Sequence, residues 1–341
     1  MNLIVTKYVA GAGKTTNSKR YLRENPNGLY LAFNNKVVDE ITNSGYLAKT
    51  IDSLFVSFIL PKLIKLIPII KSVKKITYVS PDTLPNYLKG VSNIHIRENG
   101  DIFNCSKKTT YSLYDDVDVL YKQYRGPNIQ FLRYIFNKDE LKLTDGLRND
   151  LSLFLVKNYP EYIGKIISTR FSYLIIDEAQ DLKLYQEEFA KLMINYLPVH
   201  LYGDDNQNIN GGGTWFESLN AENTVKISRR CPENNCKWIR ENLKIDIYGC
   251  ADKNGKLILT KNSEIEKFND GLCTLLYSRR NQSINKYIDC WKGPKYTIKK
   301  AKGMTIYGNV LIIGETLNVK NMYTAITRST DSVFLIPKLK K

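Results

Sequence analysis

Histidine is rare in this 341-residue chain, and its cysteines are not paired. The two histidines, His95 and His200, are too few for a histidine metal site. The six cysteines show no C-x-x-C spacing, which argues against a zinc site and against a disulfide framework. We interpret the cysteines as buried thiols of a protein that stays in a reducing compartment.

Long apolar runs are also missing. The most apolar stretch, residues 53–70, is interrupted by Pro61, Lys62, Lys65 and Pro68, far short of the roughly 20 apolar residues that a membrane span needs. The first residues show no charged region followed by an apolar run and a small-residue cleavage site. The sequence therefore predicts neither a membrane span nor a signal peptide, and the apolar stretch is interpreted as a buried or half-buried helix.

Negative charge is in short supply, and its deficit is uneven. The chain has 50 basic and 34 acidic side chains, a net charge of +16. Residues 1–224 hold 27 basic and 24 acidic side chains, whereas residues 225–341 hold 23 and 10. Such an excess favours a polyanionic partner. The content of 43% hydrophobic and 25% charged residues is that of an ordinary globular protein, and the length predicts about two domains.

Strand and helix patterns alternate along most of the chain. Apolar strands are predicted at 3–9, 29–33, 171–176 and 199–202, and a second set at 225–228, 272–277, 309–313 and 332–336. Helical patterns separate them, which indicates parallel sheets flanked by helices, the α/β class. Residues 58–168 interrupt this alternation with Lys-, Tyr- and Asn-rich segments, and we interpret them as a mostly helical insertion.

A glycine-rich loop joins the first predicted strand to the first helix. Its glycines let backbone N–H groups approach phosphates, and the helix N-terminus adds positive charge. Lys14 is predicted to reach the β- and γ-phosphates, and the Thr15 hydroxyl to bind Mg²⁺. Tyr8 stands where the usual first glycine would be. The predicted nucleotide-binding residues of the loop are Ala10, Gly11, Ala12, Gly13, Lys14, Thr15 and Thr16.

Two carboxylates, Asp177 and Glu178, follow the strand at 171–176. The carboxyl end of a strand is where α/β sheets place ligand-binding groups. Asp177 is therefore predicted to hold Mg²⁺ through its water shell, and Glu178 to take the proton from an attacking water. A helix-capping Asp-Glu pair is the alternative.

The chain resembles superfamily 1 helicases, because short motifs of that family occur in order along it. Asp177-Glu178-Ala179-Gln180 resembles motif II, and the motifs before and after it are similar to UvrD/Rep-type and viral forms. They are Leu31–Lys36 (motif Ia), Thr50–Leu54 (TxHS-like), Gly203–Ile209 (III), Ser228–Pro232 (IV), Leu275–Asn281, Thr297–Thr305 (V) and Tyr323–Arg328 (VI).

This resemblance implies two RecA-like P-loop NTPase domains. The first is expected at 1–57 plus 169–222, interrupted by the insertion at 58–168, and the second at 223–341. ATP and Mg²⁺ are the implied cofactors. Gln207 is expected to sense the γ-phosphate, and Arg230 and Arg328 to act as arginine fingers, with surface salt bridges as the alternative for both arginines.

The resemblance also implies contacts to single-stranded nucleic acid, through aromatic stacking faces and a basic track. For Trp215 a place in the core is an equal alternative, and for the lysines a solvated surface is. The expected nucleic-acid-binding residues are Phe33, Asn34, Thr50, Trp215, Lys299, Lys300, Lys302 and Thr305.

Several positions depart from the UvrD-like pattern. Arg229 stands where those enzymes carry an adenine-stacking tyrosine, so we expect Arg229 to stack on the base and nucleotide selectivity to be loose. Lys302-Gly303 follows the UvrD-like motif V, with Gly303 near the nucleotide, whereas Thr305 follows the RecD-like or viral form. Translocation polarity is therefore left open. No large accessory domain precedes motif V, which makes the insertion the candidate strand-separating wedge.

The predicted function is ATP-dependent translocation on single-stranded nucleic acid, with DNA favoured over RNA, and unwinding of duplexes. The alternatives are a translocase or remodeller without unwinding, a viral-type RNA helicase, a non-enzymatic nucleic-acid-binding module and a small-molecule kinase. Other replication or repair proteins are expected as further partners, and no membrane. The expected location is intracellular, in cytoplasm or nucleus, or in a host cell if the source is viral.

Overall fold

A computed structural model describes residues 2–89, 94–104, 110–123, 127–137, 139–209, 211–250, 252–278, 285–315 and 317–337. The chain divides into two compact units. Unit 1 comprises Met1–Asn2, Asn27–Leu174 and Lys183–Val199, and unit 2 comprises Leu3–Pro26, Ile175–Leu182 and His200–Lys341. The domain bounds inferred from the sequence stay a prediction beside this division.

Short strands and helices alternate along the described residues. The strands are β1 Leu3–Tyr8, β2 Gly28–Ala32, β3 Ala48–Thr50, β4 Lys75–Tyr78, β5 Ile94–Ile96, β6 Asp101–Asn104, β7 Thr110–Ser112, β8 Glu140–Leu143, β9 Tyr173–Ile176, β10 Val199–Gly203, β11 Asn223–Val225, β12 Ile227–Pro232, β13 Tyr248–Cys250, β14 Leu257–Leu259, β15 Thr274–Tyr277, β16 Lys295–Thr297, β17 Val310–Ile313 and β18 Val333–Ile336. The helices are α1 Lys14–Glu24, α2 Asn35–Asn43, α3 Ile51–Leu54, α4 Leu60–Leu63, α5 Asn86–Lys89, α6 Val117–Gln123, α7 Pro127–Ile135, α8 Asp145–Asn158, α9 Pro160–Ser168, α10 Leu184–Met193, α11 Trp215–Ser218, α12 Glu233–Leu243, α13 Asn285–Cys290, α14 Ile298–Ala301 and α15 Val319–Ile326.

Unit 1 contains the β2–β3 parallel pair and most of the insertion. Tyr30 of β2 lies opposite Ala48 of β3. The longest helix of this unit, α8, begins after Thr144, whose hydroxyl accepts a hydrogen bond from the Leu147 backbone N–H. Phe154, on the same helix, is fully buried. This burial anchors the helical part of the insertion in the core of unit 1.

The insertion also contains β-structure that the sequence pattern did not predict. Strand β4 pairs in parallel with β8, and β5, β6 and β7 form an antiparallel sheet. Helical residues still outnumber strand residues between 58 and 168, as expected. Each of these strands has only three or four residues, too short for an apolar alternation to stand out.

Unit 2 contains parallel strands in two separate groups along its sequence. Strands β11, β1, β10 and β9 are neighbours in that order, and β1 pairs with β11 in parallel. Strands β14, β18, β17, β15 and β16 form a second sheet whose pairs are all parallel. Its core includes Leu275, Trp291 and Leu311, and helices of the unit pack on its strands. The predicted α/β class is confirmed.

Two further observations bear on the sequence predictions. The strand expected at 225–228 is divided between β11 and β12, which separate at Lys226. In the described part of the chain, no helix combines the length and the apolar character that a membrane crossing requires.

Candidate nucleotide site and strand-binding clefts

The loop after β1 requires glycine at two positions. Gly11 has a φ of 73° and Gly13 a φ of 87°, values that residues with a Cβ rarely adopt. A Cβ on Gly11 would also lie 2.5 Å from the Cβ of Arg230 and 2.9 Å from the Ser228 hydroxyl oxygen. The loop is therefore closely covered by residues of β12.

The N-terminus of α1 is arranged for an anion. The helix begins at Lys14, and its N-cap, Gly13, has no side chain with which to bond the first free backbone N–H groups. Thr15 and Thr16 lie in the first turn. Uncapped N–H groups at the positive end of a helix bind phosphate, so the loop fits the predicted nucleotide phosphates.

Lys14 lies between the two carboxylates that follow β9. Its Nζ is 2.9 Å from Asp177 Oδ1 and 2.9 Å from Glu178 Oε1. Burial alone would lower the pKa of Lys14, but the two carboxylates outweigh it and the pKa is raised. Burial likewise acts against the charged form of Glu178, yet Lys14 and then Lys302 lower the pKa of this carboxyl to about 2. In this arrangement Lys14 and Glu178 neutralise each other.

Gln180 fixes Glu178 and connects it to the end of β10. Its Nε2 donates to Glu178 Oε2 at 2.6 Å, and its Oε1 accepts from the Asp204 backbone N–H at 3.0 Å. Glu178 also has a φ of 51°, a left-handed conformation that is costly for a residue with a side chain. The carboxylate is thus held at one place by the backbone and by Gln180.

A buried chain of hydrogen bonds starts at the phosphate-binding loop and passes through Tyr323. The Ala10 backbone N–H donates to Tyr323 Oη at 2.9 Å, and the Tyr323 hydroxyl donates to Asp204 Oδ2 at 2.8 Å. Gln207 Nε2 donates to the same carboxylate oxygen at 2.7 Å. Burial raises the pKa of Asp204, and burial followed by the Asp204 charge raises the pKa of Tyr323.

The two predicted arginine fingers lie beside Gln207 and the loop. Arg328 is 2% exposed, and its guanidinium donates to Gln207 Oε1 at 3.0 Å. Burial, followed by repulsion from Arg230, lowers the pKa of Arg328 to about 10. Both guanidiniums donate to the Met304 carbonyl, each at 3.4 Å. Nucleotide phosphates would place negative charge beside these two cations.

Lys302 is placed differently from its neighbours on the predicted track. Its Nζ forms an ion pair with Asp181 and donates to the Gln207 carbonyl at 2.6 Å, and its side chain is only 9% exposed. Burial raises the pKa of Asp181 although Lys302 opposes the rise. These contacts favour a place inside the Gln207 network, and the phosphate-track role of Lys302 stays a prediction.

Thr15 and Asp177 fit a magnesium ion held mainly by phosphate and water. Both offer oxygen donors, and Mg²⁺ commonly takes one or two protein oxygens beside substrate phosphates and water. Within the described ranges, no group of three or more His, Cys, Asp or Glu side chains forms a self-sufficient metal site. The ion would therefore enter together with the nucleotide.

Unit 1 has a cleft of about 760 Å³ that contains three predicted strand-binding residues, Phe33, Asn34 and Thr50. The side chains of Asn34 and Thr50 cap helices α2 and α3 by accepting hydrogen bonds from Val37 and Ser53 N–H groups, at 3.0 Å each. Their oxygens are therefore fixed at the floor of the cleft.

The cleft of unit 1 also contains residues that the sequence did not indicate. Tyr78, at the end of β4, lines it with 53% of its surface exposed. Arg148 lines it too and lies 2.8 Å from Asp52. The Arg148 guanidinium also lies 5.8 Å from the ring centre of Tyr78, so a cation and an aromatic ring face the cleft together, a combination that suits single-stranded nucleic acid.

Unit 2 has a second cleft, of about 670 Å³, which Lys299 and Lys300 line. No carboxylate of the described residues pairs with either lysine, so both charges are available to a polyanion. Trp215 begins α11 half-buried and Thr305 is exposed, and neither is among the residues that line the two clefts.

Arg229 lies beside the predicted nucleotide-binding loop, and the place of Gly303 near the nucleotide stays a prediction. The Arg229 guanidinium is 3.8 Å from the place of a Cβ on Gly13, and its backbone N–H donates to the Gly11 carbonyl at 2.9 Å. Gly303 directly precedes Met304, whose carbonyl holds both arginines. In the separate motif Leu275–Asn281, the residues Arg279, Arg280 and Asn281 lie outside the described part of the chain.

Sequence reasoning missed Tyr323, Asp204 and Gln180 as parts of the site. All three lie within motifs that the sequence shows: Tyr323 in the motif of Arg328, Asp204 in that of Gln207, and Gln180 in that of Glu178. What the sequence does not give is their partners, because Ala10 and Tyr323 are 313 positions apart. A tyrosine within the apolar pattern of α15 was the available signal.

A family comparison agrees with the motifs. Residues 97–212 match the model of the UvrD/REP helicase N-terminal domain. This match, which covers residues 97–212 only, confirms the resemblance to superfamily 1 helicases. The comparison with curated proteins finds no match to this chain.

Solved viral helicases share low similarity with this chain. Arterivirus nonstructural protein 10 (helicase) is 12% identical with a TM-score of 0.49, covering 99% of this chain and 60% of that one. The complex structure of that helicase with DNA is 12% identical with a TM-score of 0.47, covering 99% of this chain and 61% of that one. The PRRSV helicase is 11% identical with a TM-score of 0.48, covering 99% of this chain and 53% of that one. This chain therefore spans less than two thirds of the length of these proteins.

Proposed function

We propose that the protein is an ATP-dependent superfamily 1 helicase that translocates on single-stranded nucleic acid, DNA rather than RNA, and unwinds duplexes. One observation carries the proposal: Lys14 contacts Asp177 and Glu178, while Arg328 contacts Gln207, within one compact unit. Phosphoryl transfer needs this set, a phosphate-binding lysine, a metal-binding carboxylate, a base and arginines for the developing charge.

The ion pair of Lys14 with Glu178 suggests how the catalytic base is kept inactive until a nucleotide binds. A carboxyl with a pKa of about 2 accepts a proton poorly at neutral pH. When Lys14 turns to the phosphates, Glu178 loses the contact that lowers its pKa most. Its pKa then rises towards the ordinary range, and Glu178 becomes a competent base beside the attacking water.

The two clefts offer different chemistry to a strand. The cleft of unit 1 combines Phe33 and Tyr78 with hydroxyl and amide groups, which suits bases. The cleft of unit 2 offers Lys299 and Lys300, which suit the phosphate backbone. Strand binding at both clefts supports translocation. The insertion at 58–168 is the proposed wedge. The proposal also places the protein inside the cell, in cytoplasm or nucleus.

Unwinding of tailed duplexes tests the proposal against its alternatives. DNA and RNA duplexes with 3′ or 5′ tails are incubated with ATP and Mg²⁺, and strand release is measured. Release from one tail polarity in DNA is the expected result. Strand-stimulated hydrolysis without release indicates a translocase or remodeller, and release from RNA alone indicates an RNA helicase.

Tyr323→Phe is expected to lower the kcat of strand-stimulated ATP hydrolysis about tenfold, because it removes a buried hydrogen bond to a charged group, worth about 1.5 kcal/mol. The KM for ATP should change little, since Tyr323 acts through Asp204 and Gln207. The loss should deepen as pH falls, because Asp204 without its donor protonates more readily.

Tyr307→Phe is the matched control, since Tyr307 is 83% exposed. It should leave both constants unchanged. A Tyr323→Phe enzyme with the kcat and pH profile of the wild type would remove Tyr323 from the catalytic network.

Replacing Lys299 and Lys300 together by glutamine is expected to flatten the salt dependence of single-strand binding. Each phosphate contact contributes about 0.7 to the slope of log K against log salt, so the slope should fall by about 1.4. The slope is measured by binding titrations at salt concentrations between about 50 and 200 mM, the range in which such slopes are resolved.

The matched control for these lysines is Lys237→Gln with Lys267→Gln, two exposed lysines of unit 2 that pair with Glu241 and Glu264. The control should keep the wild-type slope. Equal slopes in the Lys299/Lys300 variant and in the wild type would return those lysines to the solvated surface.

A further inference from the structure

The insertion carries a cleft that the proposed function does not use. It has a volume of about 630 Å³, lies on α7 and around β8 in unit 1, and contains no residue of the helicase motifs. Its lining residues are Gln130, Arg133, Tyr134, Asn137 and Lys142.

Positive charge in the first two thirds of the chain is concentrated in this insertion. Residues 58–168 hold 17 basic and 11 acidic side chains, whereas the rest of residues 1–224 hold 10 and 13. Among the described residues, the lining of the cleft contains two cations and no carboxylate. Its local charge is therefore that of a polyanion-binding surface.

The charges of the cleft are only partly neutralised by their neighbours. In the described part of the chain, no carboxylate pairs with Arg133. Lys142 lies 3.5 Å from Glu140, but Glu140 is shared with Lys75 at 3.4 Å. One carboxylate between two lysines leaves an excess of positive charge at the cleft.

Aromatic rings hold both cations in place. The Arg133 guanidinium lies 5.1 Å from the ring centre of Tyr121 and donates to the Tyr121 carbonyl. Lys142 Nζ lies 4.1 Å from the ring centre of Tyr134. Cation–π contacts of this length stabilise the side-chain positions, so an anion that binds here orders few further groups.

We propose that this cleft binds the phosphate backbone of the duplex part of a nucleic-acid substrate, independently of base sequence. An arginine fork and a lysine bind phosphate oxygens, and exposed amides such as Gln130 and Asn137 contact phosphate and sugar. Tyr134, the one ring among the described lining residues, is half-buried and covered by Lys142, so this part of the lining offers no open stacking face of the kind that single strands use. This inference rests on the proposed helicase function.

The test is the double variant Arg133→Gln with Lys142→Gln. Binding of a tailed duplex and of a tail-length single strand is measured over a range of salt concentrations. Affinity for the tailed duplex should fall about tenfold at 0.1 M salt, with the slope reduced by about 1.8 for two lost duplex contacts. Single-strand affinity and single-strand-stimulated ATP hydrolysis should change less than twofold.

Lys74→Gln with Lys165→Gln is the matched control, because both lysines belong to unit 1 and are exposed, by 81% and 74%. It should keep the duplex affinity. Unchanged duplex affinity in the Arg133/Lys142 variant, an equal loss for single strands, or displacement of duplex by polyglutamate at lower concentration than by a second duplex would each overturn the proposal.

Failure of the proposed function is seen separately in the wild type. A wild-type protein that binds tailed duplex but shows no strand-stimulated hydrolysis contradicts the helicase function, while the difference in duplex affinity still decides the role of the cleft. A wild-type protein that binds no duplex contradicts the proposed duplex-binding role of the cleft.

Discussion

Replacing Lys14 by alanine is expected to lower strand-stimulated ATP hydrolysis about 1000-fold, on the scale of losing a principal electrostatic contact to the transferring phosphate. Nucleotide affinity should fall as well, because Asp177 and Glu178 then face the phosphates without a cation between them. Steady-state hydrolysis and equilibrium binding of a fluorescent nucleotide measure the two effects.

The control for Lys14 is Arg23→Ala on the same helix, whose side chain is exposed. It should bind and hydrolyse nucleotide as the wild type does, and both variants should unfold in a single transition near the wild-type temperature. Wild-type turnover in the Lys14→Ala protein would contradict a phosphate-binding loop at 10–16.

Glu178→Gln is expected to produce a different kind of loss. Turnover should fall on the order of 10²–10³-fold, because the amide cannot accept the proton of the attacking water. Nucleotide affinity should be kept or increased, since Lys14 is released from one carboxylate and the phosphates meet less negative charge. The combination of tight binding and slow turnover distinguishes the base from the phosphate-binding lysine.

Glu188→Gln serves as the comparison, because Glu188 pairs with Lys157 and Lys191 in unit 1 and takes no part in the site. Its turnover should be that of the wild type. If the Glu178→Gln protein hydrolyses ATP normally, the proton is accepted elsewhere and Glu178 is a structural partner of Lys14.

The local structure around the candidate nucleotide site could be predicted because its signals are local. An apolar run, glycines and a helical pattern within residues 3–24 predict β1, the loop and α1, and the structure places them at Leu3–Tyr8 and Lys14–Glu24. Asp177 and Glu178 follow β9 as expected. In each case, neighbouring residues determine the conformation, so the pattern is sufficient.

Contacts between distant residues limit what the sequence predicts. Lys302 resembles a surface lysine of a basic track, yet Asp181, which is 121 positions away, buries it in an ion pair. Tyr323 enters the candidate site only because Ala10 and Asp204 meet its hydroxyl. Neither partner leaves a mark on the local sequence.

The insertion shows the same limit for secondary structure. Lys75 of β4 pairs with Glu140 of β8 across 65 positions. Strand β8 alternates polar and buried apolar residues, but four residues are too few for this alternation to be told from a helical pattern. Their pairing places Tyr78 at the cleft of unit 1 and Lys142 at the cleft of the insertion. Candidate binding residues outside the motifs thus depend on a sheet that the sequence did not predict.

The most direct measurement is the rate of ATP hydrolysis with Mg²⁺, with and without single-stranded DNA or RNA, for the wild type and for Glu178→Gln. We expect a single strand to raise the wild-type rate about tenfold or more, because strand binding would align Arg230 and Arg328, and an arginine finger contributes about 10³–10⁵-fold to turnover. The Glu178→Gln rate should stay near background. Equal wild-type rates with and without either strand would contradict the proposed nucleic-acid motor.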